Sequence, residues 1–280
     1  MRSLTNGLTY FRFKFMKTSV IKTVGLFLAS IMLFITFKPA DADAWGRTGH
    51  YITGEIAQRY LDDRTAAAVE RILGETSLAV ATVWMDQVRP QDEYRHTADW
   101  HWVTIPDGMT YEETEKNPNG DVIRSLEEQI ERLKASGLSE KEERDALRFV
   151  IHMIGDMHQP LHVGTGEDRG GNDVRVQWMG RNSNLHRVWD TNMIESWGLT
   201  SVQFTEALDV VTPETVARWQ DSGPRDWAAE SVTYRDSIYD LPENNELEWE
   251  YRNKNFHIVE KRLLQAGVRI AAVLNEIYGG

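Results

Sequence analysis

Beyond residue 44, apolar side chains in this 280-residue chain recur almost throughout with the 3.6-residue period of an α-helix. That period excludes sandwiches and barrels, which need strands of alternating polarity. Only Asp173–Trp178 alternates, predicting one short hairpin around Gly180. The expected fold class is therefore all-α, one mostly helical domain over residues 45–280. Helices are expected at His50–Leu61, Thr65–Leu73, Ser77–Asp86, Asp121–Ala135, Glu140–Gln159, Arg187–Ser196, Ser201–Asp209, Pro213–Asp221, Pro224–Tyr239 and Glu246–Ile277. Ser139 precedes a Glu-rich first turn, Thr212 precedes a first-turn Pro213, and Pro160 stops the long helix at Gln159. Thr110–Asp121, with Pro118, Asn119 and Gly120, reads as a surface loop. No internal repeat or dividing linker is visible.

The first 44 residues follow another logic. Val24–Phe37 is apolar, and as a helix it would be roughly 21 Å long, short of a hydrocarbon core of about 30 Å. Lys17 and Lys22 precede it, and Ala42-Asp43-Ala44 supplies a small-x-small cleavage pattern. This is the pattern of a secretory signal cut before Trp45, with residues 1–15 an upstream mis-start ahead of Met16. A retained membrane anchor is the competing reading. The expectation is a secreted or periplasmic monomer with no stable anchor after cleavage.

The chain has no Cys, so it has neither disulfides nor thiolate metal sites; any metal must be held by His, Asp, Glu or backbone groups. Its formal charge is −12, and removing the six basic and two acidic side chains of residues 1–44 deepens this to −16. Such a balance argues against broad binding of a phosphate backbone by Lys and Arg. A nucleic-acid ligand would need another source of positive charge, which bound divalent ions can supply.

Ligand-type side chains gather in a few places. His152 and Asp156 stand one turn apart on the long helix, about 40° apart around its axis, so they can share an ion. His158 lies roughly 240° from His152 and is assigned to a structural hydrogen bond. His162 follows Pro160 and can turn back toward the His152 face. His186 and Asp190 form a second pair at the same spacing. Either pair alone fits a surface pair or a buried hydrogen bond as well as a metal site. Between them, Asp168-Arg169-Gly170-Gly171-Asn172-Asp173 suits a tight turn, with Asn172 or Asp173 available to support a ligand. Upstream, His101 sits between Trp100 and Trp102, and Asp86 lies three residues before Arg89; both segments also fit core packing with a polar edge. Cleavage before Trp45 would expose an α-amine close to His50.

The segments Trp45–His50, Trp84–Arg89, His101-Trp102, Ile151–Val163, Asp168–Asp173 and Asn184–Thr191 together resemble the secreted zinc-dependent single-strand-specific nucleases. These share a fold with bacterial zinc phospholipase C. The likeness spans the whole of residues 45–280, in order. It implies a mostly helical domain holding three Zn²⁺ ions. One would be held by Asp86, His101, His152 and Asp156. A second would take the amine and carbonyl of Trp45, His50 and the bridging Asp156. The third would be held by His162, His186 and Asp190.

The resemblance also implies the chemistry. Clustered divalent ions lower the pKa of water and stabilise the attacking and leaving oxygens of an in-line displacement at phosphorus. The third ion would steady the departing 3′-oxygen, leaving 5′-phosphorylated products. Asp86 and Arg89 would be catalytic, with Arg89 steadying transition-state charge, and Trp102 would stack on a base of single-stranded DNA or RNA. Core packing is the alternative for Trp102. Thr104 departs from the acidic residue of the fungal pattern, so base preference does not carry over. The expected activity is endonuclease with 3′-nucleotidase. The alternatives are a zinc-dependent phospholipase C and, more remotely, a non-catalytic zinc-binding protein.

Overall fold

A computed structural model describes residues 45–135 and 137–280; the signal-like segment 1–44 lies outside them. The helices that carry the fold are α1 (Arg47–Tyr60), α2 (Asp63–Leu73), α3 (Val122–Lys134), α4 (Glu140–His158), α5 (Ser201–Leu208), α6 (Pro213–Gln220), α7 (Pro224–Val232) and α8 (Trp249–Tyr278). Caps start them where the sequence places them. Asp121 accepts from the backbone N–H groups of Ile123 and Arg124, and Ser139 forms a capping box with Glu142.

Three expected helices are interrupted, each for a tertiary reason. Ser77–Asp86 splits into Leu78–Ala81 and Trp84–Val88. At the break, the Thr82 hydroxyl donates to the carbonyls of Ala79 and His50, and the Thr82 carbonyl faces Nδ1 of His152 at 2.6 Å. Pro224–Tyr239 splits into α7 and a short turn at Arg235–Ile238. Arg235 turns inward there, donating to the carbonyls of Ile105 at 2.7 Å and Val163 at 2.8 Å. The segment expected at Arg187–Ser196 is helical from Leu185 to Glu195, but Val188–Asn192 widens into a π turn. Glu246–Leu247, expected to open the last helix, is instead a strand.

The strands are short. β1 (Val103–Thr104) and β2 (Val163–Gly164) pair in parallel with Val103 opposite Val163. β3 (Arg175–Trp178) and β4 (Arg181–Asn184) form the expected hairpin, and β5 (Glu246–Leu247) adds to β3 in parallel. The loop Thr110–Asp121 is pinned at Tyr111, which is buried and donates its hydroxyl proton to Asp121.

Apolar burial forms two clusters. Leu126, Leu147, Val150, Ile151 and Ile154 of α3 and α4 centre one; Ile52 and Ile56 of α1, Trp189, and Leu263 and Val268 of α8 centre the other. α8 also ties down the end of α4. Arg262, fully buried, donates from Nε to the carbonyl of His158 at 3.1 Å and from Nη2 to that of Met157 at 3.4 Å. These are the carbonyls that a helix end leaves without partners. Arg269 meets Nε2 of His158 at 2.9 Å, and both arginines pair with Glu230. His158 is thus held structurally, as expected; burial, then the charges of Arg262 and Arg269, lower its imidazole far below the usual range.

Candidate metal centre

Two clusters of imidazoles and carboxylates lie buried at the junction of α1, α4 and the segments flanking β1, β2 and β4. In the first, the carboxylate of Asp156 on α4 is the hub. Its Oδ1 faces Nε2 of His50 at 3.2 Å; its Oδ2 faces Nδ1 of His101 at 3.0 Å and Nε2 of His152 at 3.1 Å. Oδ1 of Asp86 lies 3.7 Å from the same nitrogen of His101 and 3.8 Å from that of His152. In the second, Nε2 of His186 and Nε2 of His162 approach Asp190 at 3.0 and 3.8 Å. His50, His152 and Asp156 are fully buried, His101, His162, His186 and Asp190 nearly so, and Asp86 is partly exposed.

Hydrogen bonds account for only part of this arrangement. Nδ1 of His152 donates to the Thr82 carbonyl, that of His162 to the His101 carbonyl at 2.6 Å, and that of His186 to the Gly170 carbonyl at 2.7 Å. Each ring therefore directs its Nε2 into its cluster. Nε2 of His152 and Nδ1 of His101 face each other at 3.1 Å, and the facing atoms of His50, Asp86, Asp156 and His162 lack a well-formed partner. Buried polar atoms are costly in that state, by about 1–3 kcal/mol each. Two ligands at zinc–ligand distances of about 2.0–2.2 Å and tetrahedral angles lie roughly 3.3–3.6 Å apart, close to the spacing seen. The residues fit a cation.

Local chemistry explains how the chain makes these clusters. His152 and Asp156 share a stripe of α4, and Gly155 between them leaves room for His50, whose ring stacks on His152 at 4.2 Å; a Cβ on Gly155 would lie 3.0 Å from that ring. Gly170, with φ of 62°, turns its carbonyl onto His186; a Cβ there would strike the Leu161 carbonyl at 2.2 Å. Asn172 and Asp173 do not support a ligand. Asn172 bonds to the Arg169 carbonyl and Asp173 pairs with the Arg169 side chain.

Electrostatics favour a cation as well. Burial pushes the His152 imidazole down, but Asp156 and Asp86 outweigh it and raise the group to about 9. Burial opposes ionisation of Asp156, yet His152, His101 and His50 around it hold its carboxyl well below the usual range.

The remaining expected residues fall around the clusters. Trp45 is fully buried, and the next residue, Gly46, donates its N–H to the Asp190 carbonyl at 2.9 Å. Arg89 ends the short helix that carries Asp86, half-buried and without a carboxylate partner among the described residues. Trp102 is 41% exposed, so core packing is not its role, and Val103↔Val163 pairing sets it beside His162. Thr104 lies on β1 opposite Gly164. One supporting residue escaped the sequence: Gln159, fully buried, donates to Asp190 and accepts from the N–H of Leu161 at 2.6 Å. Its position between a ligand helix and Pro160 was the only signal.

A mostly helical domain with buried, facing imidazoles and carboxylates is the framework of a metal-dependent hydrolase. The S1/P1 nuclease family pattern matches residues 45–279. Endonuclease 2 of Arabidopsis thaliana is 31% identical over 288 residues, covering 89% of this chain and 96% of the relative. Endonuclease 4 of the same plant is 33% identical, covering 88% and 93%, and Nuclease S1 of Aspergillus oryzae is 29% identical, covering 83% and 91%. The chain belongs to the S1/P1 nuclease family, and it is a nuclease.

Proposed function

We propose that this protein is a secreted trinuclear-zinc phosphodiesterase that cleaves single-stranded DNA and RNA internally to 5′-phosphorylated products and also removes 3′-phosphates from nucleotides. The observation that carries the reading is the set of inward-facing Nε2 atoms and orphaned carboxylate oxygens beside an exposed indole. Asp86, His101, His152 and Asp156 would hold one ion, and His162, His186 and Asp190 another. The two oxygens of Asp156 face different nitrogens, which suits a bridge to a third ion held by His50 and the freed amine and carbonyl of Trp45. The family match beginning at residue 45 supports cleavage there.

Bound zinc supplies an activated water and charge stabilisation at phosphorus. The chain supplies the rest. Asp86, the most exposed carboxylate of the first cluster, presents Oδ1 with no hydrogen-bond partner and accepts a proton from the attacking water. Arg89, which pairs with no carboxylate among the described residues, turns its guanidinium to the phosphoryl oxygens. Trp102 stacks on an unpaired base, which a duplex does not offer. Among the described residues no helix is long and apolar enough to cross a membrane.

The test is hydrolysis of a single-stranded oligonucleotide by the protein beginning at Trp45, before chelation, after it, and after zinc restoration, with phosphatidylcholine alongside. Zinc-restored release of 5′-nucleotides supports the reading. Zinc-dependent lipid cleavage alone transfers the same cage to phospholipase C, and activity indifferent to chelation rejects the metal assignment.

A further inference from the structure

The stripe of α4 that carries Asp156 and His152 continues toward the helix N-terminus, at the same four-residue spacing, as Arg148 and Arg144. Each step rises about 6 Å along the axis and turns about 40°. Arg148 therefore lies one turn beyond the first metal cluster, on the side of the short helix bearing Trp84, Asp86 and Arg89. Its guanidinium carbon sits over the Trp84 ring at 5.1 Å, and its Nε is buried without a partner. Neither Arg144 nor Arg148 pairs with a carboxylate among the described residues. Of the acidic neighbours on the helix, Asp145 is committed to Lys141 and Tyr94, Glu143 to Arg71, and Glu142 to the cap at Ser139; Glu140, at the first turn, makes no ion pair with Arg144.

Uncompensated guanidinium groups are unusual in a chain of net charge −12. An exposed cation can rely on water, but one partly withdrawn from it calls for an anion. Burial and the like charge of Arg144 both press the Arg148 guanidinium below its ordinary value, although Asp145 opposes them.

We propose that Arg148 and Arg144 form a phosphate-binding track that receives the backbone of a single-stranded substrate beyond the scissile bond. Trp84 supports the Arg148 guanidinium from one side at 5.1 Å, the contact an aromatic face makes with an arginine. The roughly one-turn spacing matches successive phosphates of an extended strand. This inference rests on the nuclease reading above; it adds a site that only substrates longer than a dinucleotide reach.

The experiment compares the zinc-loaded protein with Arg148→Gln and Arg144→Gln on a long oligothymidylate and on thymidylyl-thymidine, over a range of salt. Arg148→Gln is expected to raise KM for the oligomer on the order of tenfold at low salt. Each substitution should reduce the steepness of the log-salt dependence by about 0.7, the value of one single-strand phosphate contact. Dinucleotide cleavage and zinc content should be largely preserved. Equal losses on both substrates, or an unchanged salt slope in both variants, overturns the track. Arg144→Gln, one turn farther out, keeps the test readable if Arg148→Gln fails to fold. Failure of the unaltered protein to cut either substrate would instead reject the nuclease reading itself.

Discussion

Nδ1 of His162 donates to the carbonyl oxygen of His101 at 2.6 Å, so an imidazole of one cluster is oriented by the backbone of a residue of the other. The clusters are therefore coupled. His162→Ala should remove more than one zinc per chain, because it takes away a ligand and also frees the segment carrying His101. Metal analysis of the purified variant checks this; loss of one ion with the rest held at unchanged affinity would contradict the coupling.

Gly155→Ala should disturb the first cluster although no ligand is altered. The new Cβ would meet Cε1 and Nδ1 of His50 at 3.0 Å, forcing that ring off its stack on His152. Overpacking of this kind costs about 1–3 kcal/mol. Thermal melting and zinc content should fall together.

Gln159→Ala removes the donor that steadies Asp190 and the acceptor for Leu161. Supporting partners of this sort are worth about 10–100-fold in metal affinity or activity. Zinc titration of the variant measures it, and an affinity equal to that of the parent would show that Asp190 needs no such support.

Zinc affinity should rise with pH. His152 is raised to about 9 by Asp156 and Asp86 against the pull of burial, so below that value it carries a proton that a cation must displace. Binding then releases the proton, and affinity falls about tenfold for each unit of pH lost per proton displaced. The dependence flattens above about 9. Competition titration with a chelator across that range tests the sign.

Trp102→Ala should raise KM for single strands by about 5- to 150-fold, the equivalent of 1–3 kcal/mol of base stacking, with kcat much less affected. Steady-state kinetics on a single-stranded oligonucleotide separates the two constants.

The facing pairs were legible because an i, i+4 spacing brings His152 to Asp156 and His186 to Asp190, and the helical angle set His158 apart. Caps at Ser139 and Thr212 were legible through local chemistry. What orients the ligands was not, since the groups responsible are backbone carbonyls of Thr82, His101 and Gly170, which every residue possesses. The breaks at Thr82 and before Arg235 follow from partners distant in sequence, not from a local stop signal. β1, β2 and β5 are two residues each, too short for alternation to appear.

Arg262 grips the last carbonyls of α4 from 104 and 105 positions further along the chain. A ribosome thus completes the helix bearing His152 and Asp156 long before it produces the residue that secures that helix's end. On the metal reading, ion capture follows the docking of the final helix onto that end. A protein shortened ahead of residue 262 would carry every side-chain ligand of the centre and still lack the means to hold them in register.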